Sequence, residues 1–339
     1  MSSSTSVTRT LPARPDLEQL KRQAKDLLAD ARQGNHAALA RLDGNTTARL
    51  ADAQFAIARE HGFASWARIR RAVLAASPEG RPVTRPSRVD KHLVPSTYNA
   101  ATFLDGAKRN GWVPGRLPTS LVFVFQPVYA HRLAEDSRFV EDTAMAVGNG
   151  RYFVTVDDPA VAVSCMSAGT AFVGQVENQI ALGGAERFVI LNTAGGFGPD
   201  VAVGDLAVVE TAVRDDGISD HYLAPGDTVD ADESLTEALL DAARSVQPDA
   251  RRHISWTIPA VFRQTQPEVD HCIDQGITVV ESEIAALLAV CQARHVRAGA
   301  IVTVMGVEPA RDDEPADWGG IAATQWDTFE AVVSALRST

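Results

Sequence analysis

The chain has 339 residues, 45% of them hydrophobic, and a formal net charge of −11 from 32 basic and 43 acidic side chains. That length exceeds one ordinary hydrophobic core, so two domains are expected. The acidic balance offers no basic stripe for nucleic acid, and no apolar run reaches the roughly 18 residues that span a membrane. The opening segment, MSSSTSVTRTLPARP, lacks an apolar core and does not read as a secretory signal. Cys165, Cys272 and Cys291 lack metal or redox spacing, which predicts reduced thiols in the cytoplasm and gives no reason to invoke a metal or cofactor.

Residues 1–76 read as a helical module with a disordered start. Leu17, Leu20, Ala24, Leu27, Leu28 and Ala31 recur at helical spacing behind Asp16, a candidate N-cap, and Gly34 stops that helix. A short helix is expected over 36–42. Another, over 48–60, carries Leu50, Ala53, Phe55, Ile57 and Ala58 and ends at Gly62. A last helix opens near Trp66 and can turn Trp66, Ile69, Val73 and Leu74 inward. Lys21, Arg22, Lys25, Arg68, Arg70 and Arg71 make a locally basic surface, either solvated helix faces or a docking patch. Residues 77–89, SPEGRPVTRPSRV, have the composition of a linker.

Residues 90–339 alternate apolar β-type runs with helical stretches. The runs fall at 121–125, 161–165, 188–191, 206–209 and 300–304, and the helices at 174–182, 234–245, 283–294 and 325–337. That alternation predicts an α/β domain with a sheet covered on both faces. Within it, VVESEIAALLAV at 279–290 feeds a short apolar run straight into a helix. Glu281 and Glu283, two apart on an extended segment, can face one pocket, or both can sit solvated in a surface turn.

That segment resembles the V-E-M-E-x-x-A-L stretch of the nucleoside phosphorylase superfamily, which includes purine and uridine phosphorylases and nucleosidases. FVILNTAGGFGPDVAVGD at 188–205 resembles its strand, Gly-rich turn and V-G-D. RDDGISDHYL at 214–223 resembles R-x-D-G-x-S-x-H-(F/Y), and SWTIPAVFRQT at 255–265 resembles a base-site loop. The four stand in the family's order, and the likeness covers roughly residues 90–336. The start of the chain resembles segments that precede the repeats of some bacterial ankyrin-repeat proteins, but no repeats follow.

The resemblance implies a mixed central sheet flanked by helices, behind the small all-α domain, and a homo-oligomer. It places Glu283 on ribose hydroxyls, Thr193 with Asn192 and Gly195 in a phosphate-cradling turn, and Phe262, Arg263 and Gln264 at a base. A core Phe262 and a salt-bridged Arg263 are equally open. Glu281 either joins the site or bonds backbone at the strand end, and His221 either pairs with Asp220 as an acid–base couple or is structural. Departures matter as much. Ile190 stands where the phosphorylases carry a phosphate-binding arginine, and their Gly-Asp-Pro turn has no counterpart near Phe125, Gln126 and Pro127. Ser282 replaces a sugar-packing methionine, Pro259 an aspartate, and Met305–Gly306 the pair that supplies a proton to purines. MSAGT at 166–170 retains Gly169 from a Gly-rich segment, and Asp312, Asp313, Glu314 and Asp317 read as a solvated acidic loop rather than a metal site. The expected function is cleavage of an N-glycosidic bond in a nucleoside-like ligand, by water rather than phosphate. The alternatives are a different reaction on a non-nucleoside substrate in specialised biosynthesis, and a noncatalytic ligand sensor.

Overall fold

A computed structural model describes residues 9–12, 15–76, 90–146, 150–157, 160–167, 172–308 and 318–338. The linker expected over 77–89, Ala168, Gly169 and Thr170 of MSAGT, and the acidic residues Asp312, Asp313, Glu314 and Asp317 lie outside the described residues. The chain divides into two compact units, Met1–Ser87 and Arg88–Thr339.

In the first unit, α1 (Leu17–Arg32), α2 (His36–Arg41), α3 (Leu50–Glu60) and α4 (Trp66–Ala76) enclose a small core. Asp16 Oδ1 caps α1 by accepting from the Glu18 N–H at 2.8 Å, and Asn35 caps α2 in the same way. Leu20, Ala24, Leu27, Ala53, Ile57, Ile69 and Val73 are buried together. Of the apolar residues expected on the third helix, Leu50 and Phe55 lie at the surface, Phe55 47% exposed. Phe55 is two residues from both Ala53 and Ile57, which turns it to the opposite face, where Arg59 one turn on stacks over its ring.

Among the described residues the second unit has ten strands: β1 (Ser120–Val124), β2 (Phe139–Glu141), β3 (Arg151–Thr155), β4 (Val161–Cys165), β5 (Arg187–Phe197), β6 (Leu206–Arg214), β7 (Thr228–Asp230), β8 (Arg251–Thr257), β9 (Val279–Glu281) and β10 (Arg297–Glu308). Around them lie α5 (Ala100–Arg109), α6 (Pro127–Glu135), α7 (Phe172–Ala181), α8 (Glu233–Val246), α9 (Gln266–Asp274), α10 (Ile284–Arg294) and α11 (Trp318–Ser338). The sheet is mixed, in the order β10-β6-β8-β9-β5-β1-β4-β3-β2, and β10 also pairs with β5. That extra pairing closes β5, β10, β6, β8 and β9 into a ring, so five strands form a barrel from which the rest of the sheet extends.

Two long strands make the closure possible. The first half of β5 pairs with β1, and its second half, NTAGG, meets β9. NTAGG is therefore strand, not the anion-cradling turn its glycines suggest. Their lack of a side chain serves strand approach instead. A Cβ on Gly195 would lie 3.0 Å from Val280 Cγ1, and one on Gly196 would meet Val304 Cγ1 at 3.0 Å and Val201 Cγ2 at 3.2 Å. On β10 the pairing jumps from Val304–Ala194 to Gly306–Gly195, which leaves Met305 as a bulge residue.

One face of the sheet packs on α10, in which every residue from Ile284 to Cys291 is buried. The other packs on α8, α11 and α6 through Leu235, Leu239, Phe329, Val332 and Tyr129. Cys165, Cys272 and Cys291 are reduced and buried, and burial pushes the first two thiols up to about 12 and about 11. Among the described residues no helix is long and apolar enough to cross a membrane. Gly196→Ala puts a methyl among three valine side chains and is expected to cost about 1–3 kcal/mol, read as a lower urea midpoint at unchanged slope.

Candidate active site

A cavity of about 600 Å³ opens at the barrel end where β5, β9 and β10 finish, and it gathers most of the residues singled out from sequence. Asn192, Thr193 and Gly195 come from β5, Glu281 from β9, Ser282 and Glu283 from the turn into α10, Met305 from the β10 bulge, and Gln264 from the loop after β8. Phe197, Val203, Val280 and Val307 supply apolar wall, and Glu308 a further carboxylate.

The two glutamates have different surroundings. Glu281 Oε2 accepts the backbone N–H groups of Glu283 at 2.6 Å and Ile284 at 2.7 Å, which caps the start of α10. Its Oε1 accepts from the Thr257 and Ser255 hydroxyls of β8, and Thr257 Oγ1 in turn accepts the Ala285 N–H at 2.9 Å. Glu281 thus ties β8, β9 and α10 together. Glu283 is 1% exposed, and its Oε2 accepts from Asn192 Nδ2 at 3.0 Å.

Behind Asn192 stands Gln126, between β1 and α6. Its Nε2 donates to Asn192 Oδ1 at 2.9 Å and to Thr193 Oγ1 at 3.3 Å. In the sequence Gln126 stands out only as part of a departure from the family's Gly-Asp-Pro turn. A polar residue just past the apolar run at 121–125 and ahead of a helix-opening Pro127 was the available signal.

Three expected site residues stand elsewhere. Phe262, in the 3-10 turn Val261–Arg263, is 97% exposed, and neither it nor Arg263 lines the cavity, whereas their neighbours Val261 and Gln264 do. His221 belongs to a second cleft with Lys91, Tyr222 and Arg294. Its Nδ1 meets Lys91 Nζ, while Asp220 pairs with Arg214, so the structure does not form the His221–Asp220 couple. The RDDGISDHYL motif that carries His221 is a closed loop. Buried Asp216 accepts the Ile218 and Ser219 N–H groups and the Ser219 hydroxyl, and Gly217 takes the left-handed turn at φ +74°. Ile190, at 0% exposure, is core.

Burial, with a smaller push from the Glu283 charge, raises the Glu281 carboxyl to about 7 from its ordinary 4.5, against the opposing pull of the Thr257 hydroxyl and the Glu283 and Ile284 N–H groups. The folded chain then keeps a proton between those values that the unfolded chain has released. The stability this supplies is complete below pH 4.5 and is lost as pH rises through about 7. Glu281→Gln should flatten that segment of the stability–pH curve, removing a slope worth up to about 3 kcal/mol, as followed by denaturant melts. A variant with the wild-type slope excludes Glu281 as its source.

Comparison with known proteins bears on the family and the fold. A uridine phosphorylase of Treponema pallidum is 29% identical over 182 residues, covering 49% of this chain and 70% of that protein. A uridine phosphorylase of Salmonella typhimurium is 27% identical over 166 residues, and the chain spans 65% of its length, just under two thirds. A guanosine phosphorylase of Halorubrum lacusprofundi is 27% identical over 157 residues, 46% of this chain and 62% of that protein. A solved structure described as the P knowlesi homolog of P falciparum PNP superposes with a TM-score of 0.55 at 16% identity, over 66% of this chain and 91% of that one, which speaks to the fold alone. Residues 122–336 match the Phosphorylase superfamily, and with the closed five-strand ring and the Glu283 cavity inside that span, the chain belongs to this family.

Proposed function

We propose that the cavity binds a nucleoside-like small molecule and cleaves its N-glycosidic bond with water rather than phosphate. Glu283 carries the reading: it is a buried carboxylate on the wall of a cavity whose size suits such a ligand, at the position that by resemblance holds ribose hydroxyls. Bonds from those hydroxyls to a carboxylate tighten as positive charge builds on the sugar, which binds the transition state more strongly than the substrate. The names of the relatives, uridine and guanosine phosphorylases, support the substrate class.

Water as acceptor is supported by charge. Among the described residues the lining holds Glu281, Glu283 and Glu308 and no lysine, arginine or histidine. An anion about 4 Å from one ionised carboxylate is repelled by about 4 kcal/mol at an effective dielectric constant near 20. Ile190 offers none of the paired donors that orient a phosphate. In this reading Thr193 serves the nucleophile side, Ser282 and Met305 flank the sugar, and Gln264 reads the base edge. The loop bearing Phe262 and Arg263 closes on the bound ring, and His221 takes no part in the chemistry. We also infer self-association, because Leu93, Val94, Tyr98 and Phe103 stand 48–72% exposed along one segment.

The deciding assay incubates the protein with uridine, inosine, adenosine or methylthioadenosine, with and without phosphate, and separates free base by chromatography. Phosphate-independent release is expected. Release that requires phosphate overturns the hydrolytic assignment, and no release from any of the four overturns the reading itself. Glu283→Gln should lower kcat by at least about 100-fold. Phe262→Ala should raise KM about tenfold with little change in Tm, since the ring is already exposed. Light scattering after gel filtration should return at least twice the chain mass of 36.2 kDa.

A further inference from the structure

Asn192 sits in the cavity wall with its amide orientation fixed by its neighbours. Its Oδ1 faces two donors, Gln126 Nε2 at 2.9 Å and its neighbour's backbone N–H, that of Thr193, at 2.8 Å. Its Nδ2 faces Glu283 Oε2 at 3.0 Å. Turning the amide over would set oxygen against carboxylate and NH₂ against two donors, so only one orientation is satisfied. The same logic fixes Gln126, whose Nε2 meets two acceptors, Asn192 Oδ1 and Thr193 Oγ1. Because the Thr193 hydroxyl accepts from Gln126, its own O–H remains to be donated.

Gln126 holds this orientation at a cost. Its Oε1 is buried and has no hydrogen-bond partner among the described residues. An unpartnered buried carbonyl destabilises the fold, and an apolar side chain of similar shape would avoid that loss. A glutamine kept here for stability alone would be a poor choice. Its return lies in what the other end of the amide holds.

We propose that Gln126 and Asn192 are positioning residues that orient Glu283 and Thr193 toward the ligand, a role that rests on the glycosidic reading above. Gln126 touches the cavity only through its partners. It locks Asn192, and Asn192 holds one Glu283 oxygen, so the carboxylate is set before substrate arrives. The amide pair also fills the nucleophile side with neutral groups where a phosphate site would need cations.

Three variants of the full chain test this, with thermal melts as well as turnover. Asn192→Asp sets a second carboxylate against Glu283, and two like charges at that distance cannot both ionise without penalty. Its Tm deficit relative to wild type should grow by about 5 °C or more from about pH 5 to about pH 8, the sense expected when ionisation opposes folding. Glu281 and Glu308 are the other carboxylates at the cavity, and they cancel in the variant-minus-wild-type difference. Adding Glu283→Gln to Asn192→Asp should abolish the growth. A flat deficit, or growth that survives in the double variant, overturns the contact. Gln126→Met should keep Tm within about 2 °C while kcat falls at least about tenfold and KM moves less than about threefold. Wild-type kcat, or a Tm loss beyond about 5 °C, shows instead a structural glutamine. If wild type turns over no nucleoside, the glycosidic reading fails, and the melts by themselves decide whether the relay exists.

Discussion

Glu281 is the buried carboxylate on which the site's geometry depends. It joins the ends of β8 and β9 to the start of α10, satisfying two backbone N–H groups of the helix and two hydroxyls of the strand. A helix buried from its first residue, Ile284, through Cys291 cannot leave its first N–H groups to water, so something inside the protein must accept them. Once Glu281 does so, the turn that follows is fixed, and Glu283 two residues on meets the cavity. The pair therefore divides structure and site between two carboxylates of one short segment.

The barrel supplies the rest of the frame. Closure of β5 on β10 and β9 brings NTAGG, the Glu281–Glu283 turn and the Met305 bulge to one rim. Such closure needs strands to approach where Gly195 and Gly196 stand against Val280, Val304 and Val201, so these glycines belong to packing. The chemistry of the rim follows from what remains: neutral amides and hydroxyls on one side, carboxylates on the other, and no described cation among them.

Much of the fold was legible in the sequence because its signals are local. Apolar runs at 161–165 and 206–209 and the helical spacing at 234–245 lie inside observed elements. Thr193, Gln264 and Glu283, singled out because their motifs stand in family order, line one cavity. Phe262 and His221 stand outside the cavity lining for a shared reason. A motif says which residues lie near a ligand in relatives, but not how a loop is turned here, and Phe262 points to solvent while His221 is held in a loop closed by Asp216.

The sequence by itself determined the alternation of strand and helix, the family likeness and the placing of Glu281 and Glu283 at a strand-to-helix join, since periodicity and motif order are properties of short segments. Only the tertiary structure decided that NTAGG is strand, that Met305 bulges toward the cavity, that Glu281 caps a helix, and that Gln126 stands behind Asn192. Those outcomes depend on strand register and on partners far apart in the chain, 66 residues for Gln126 and Asn192 and 91 for Asn192 and Glu283. No local pattern encodes which polar groups meet once a sheet closes on itself.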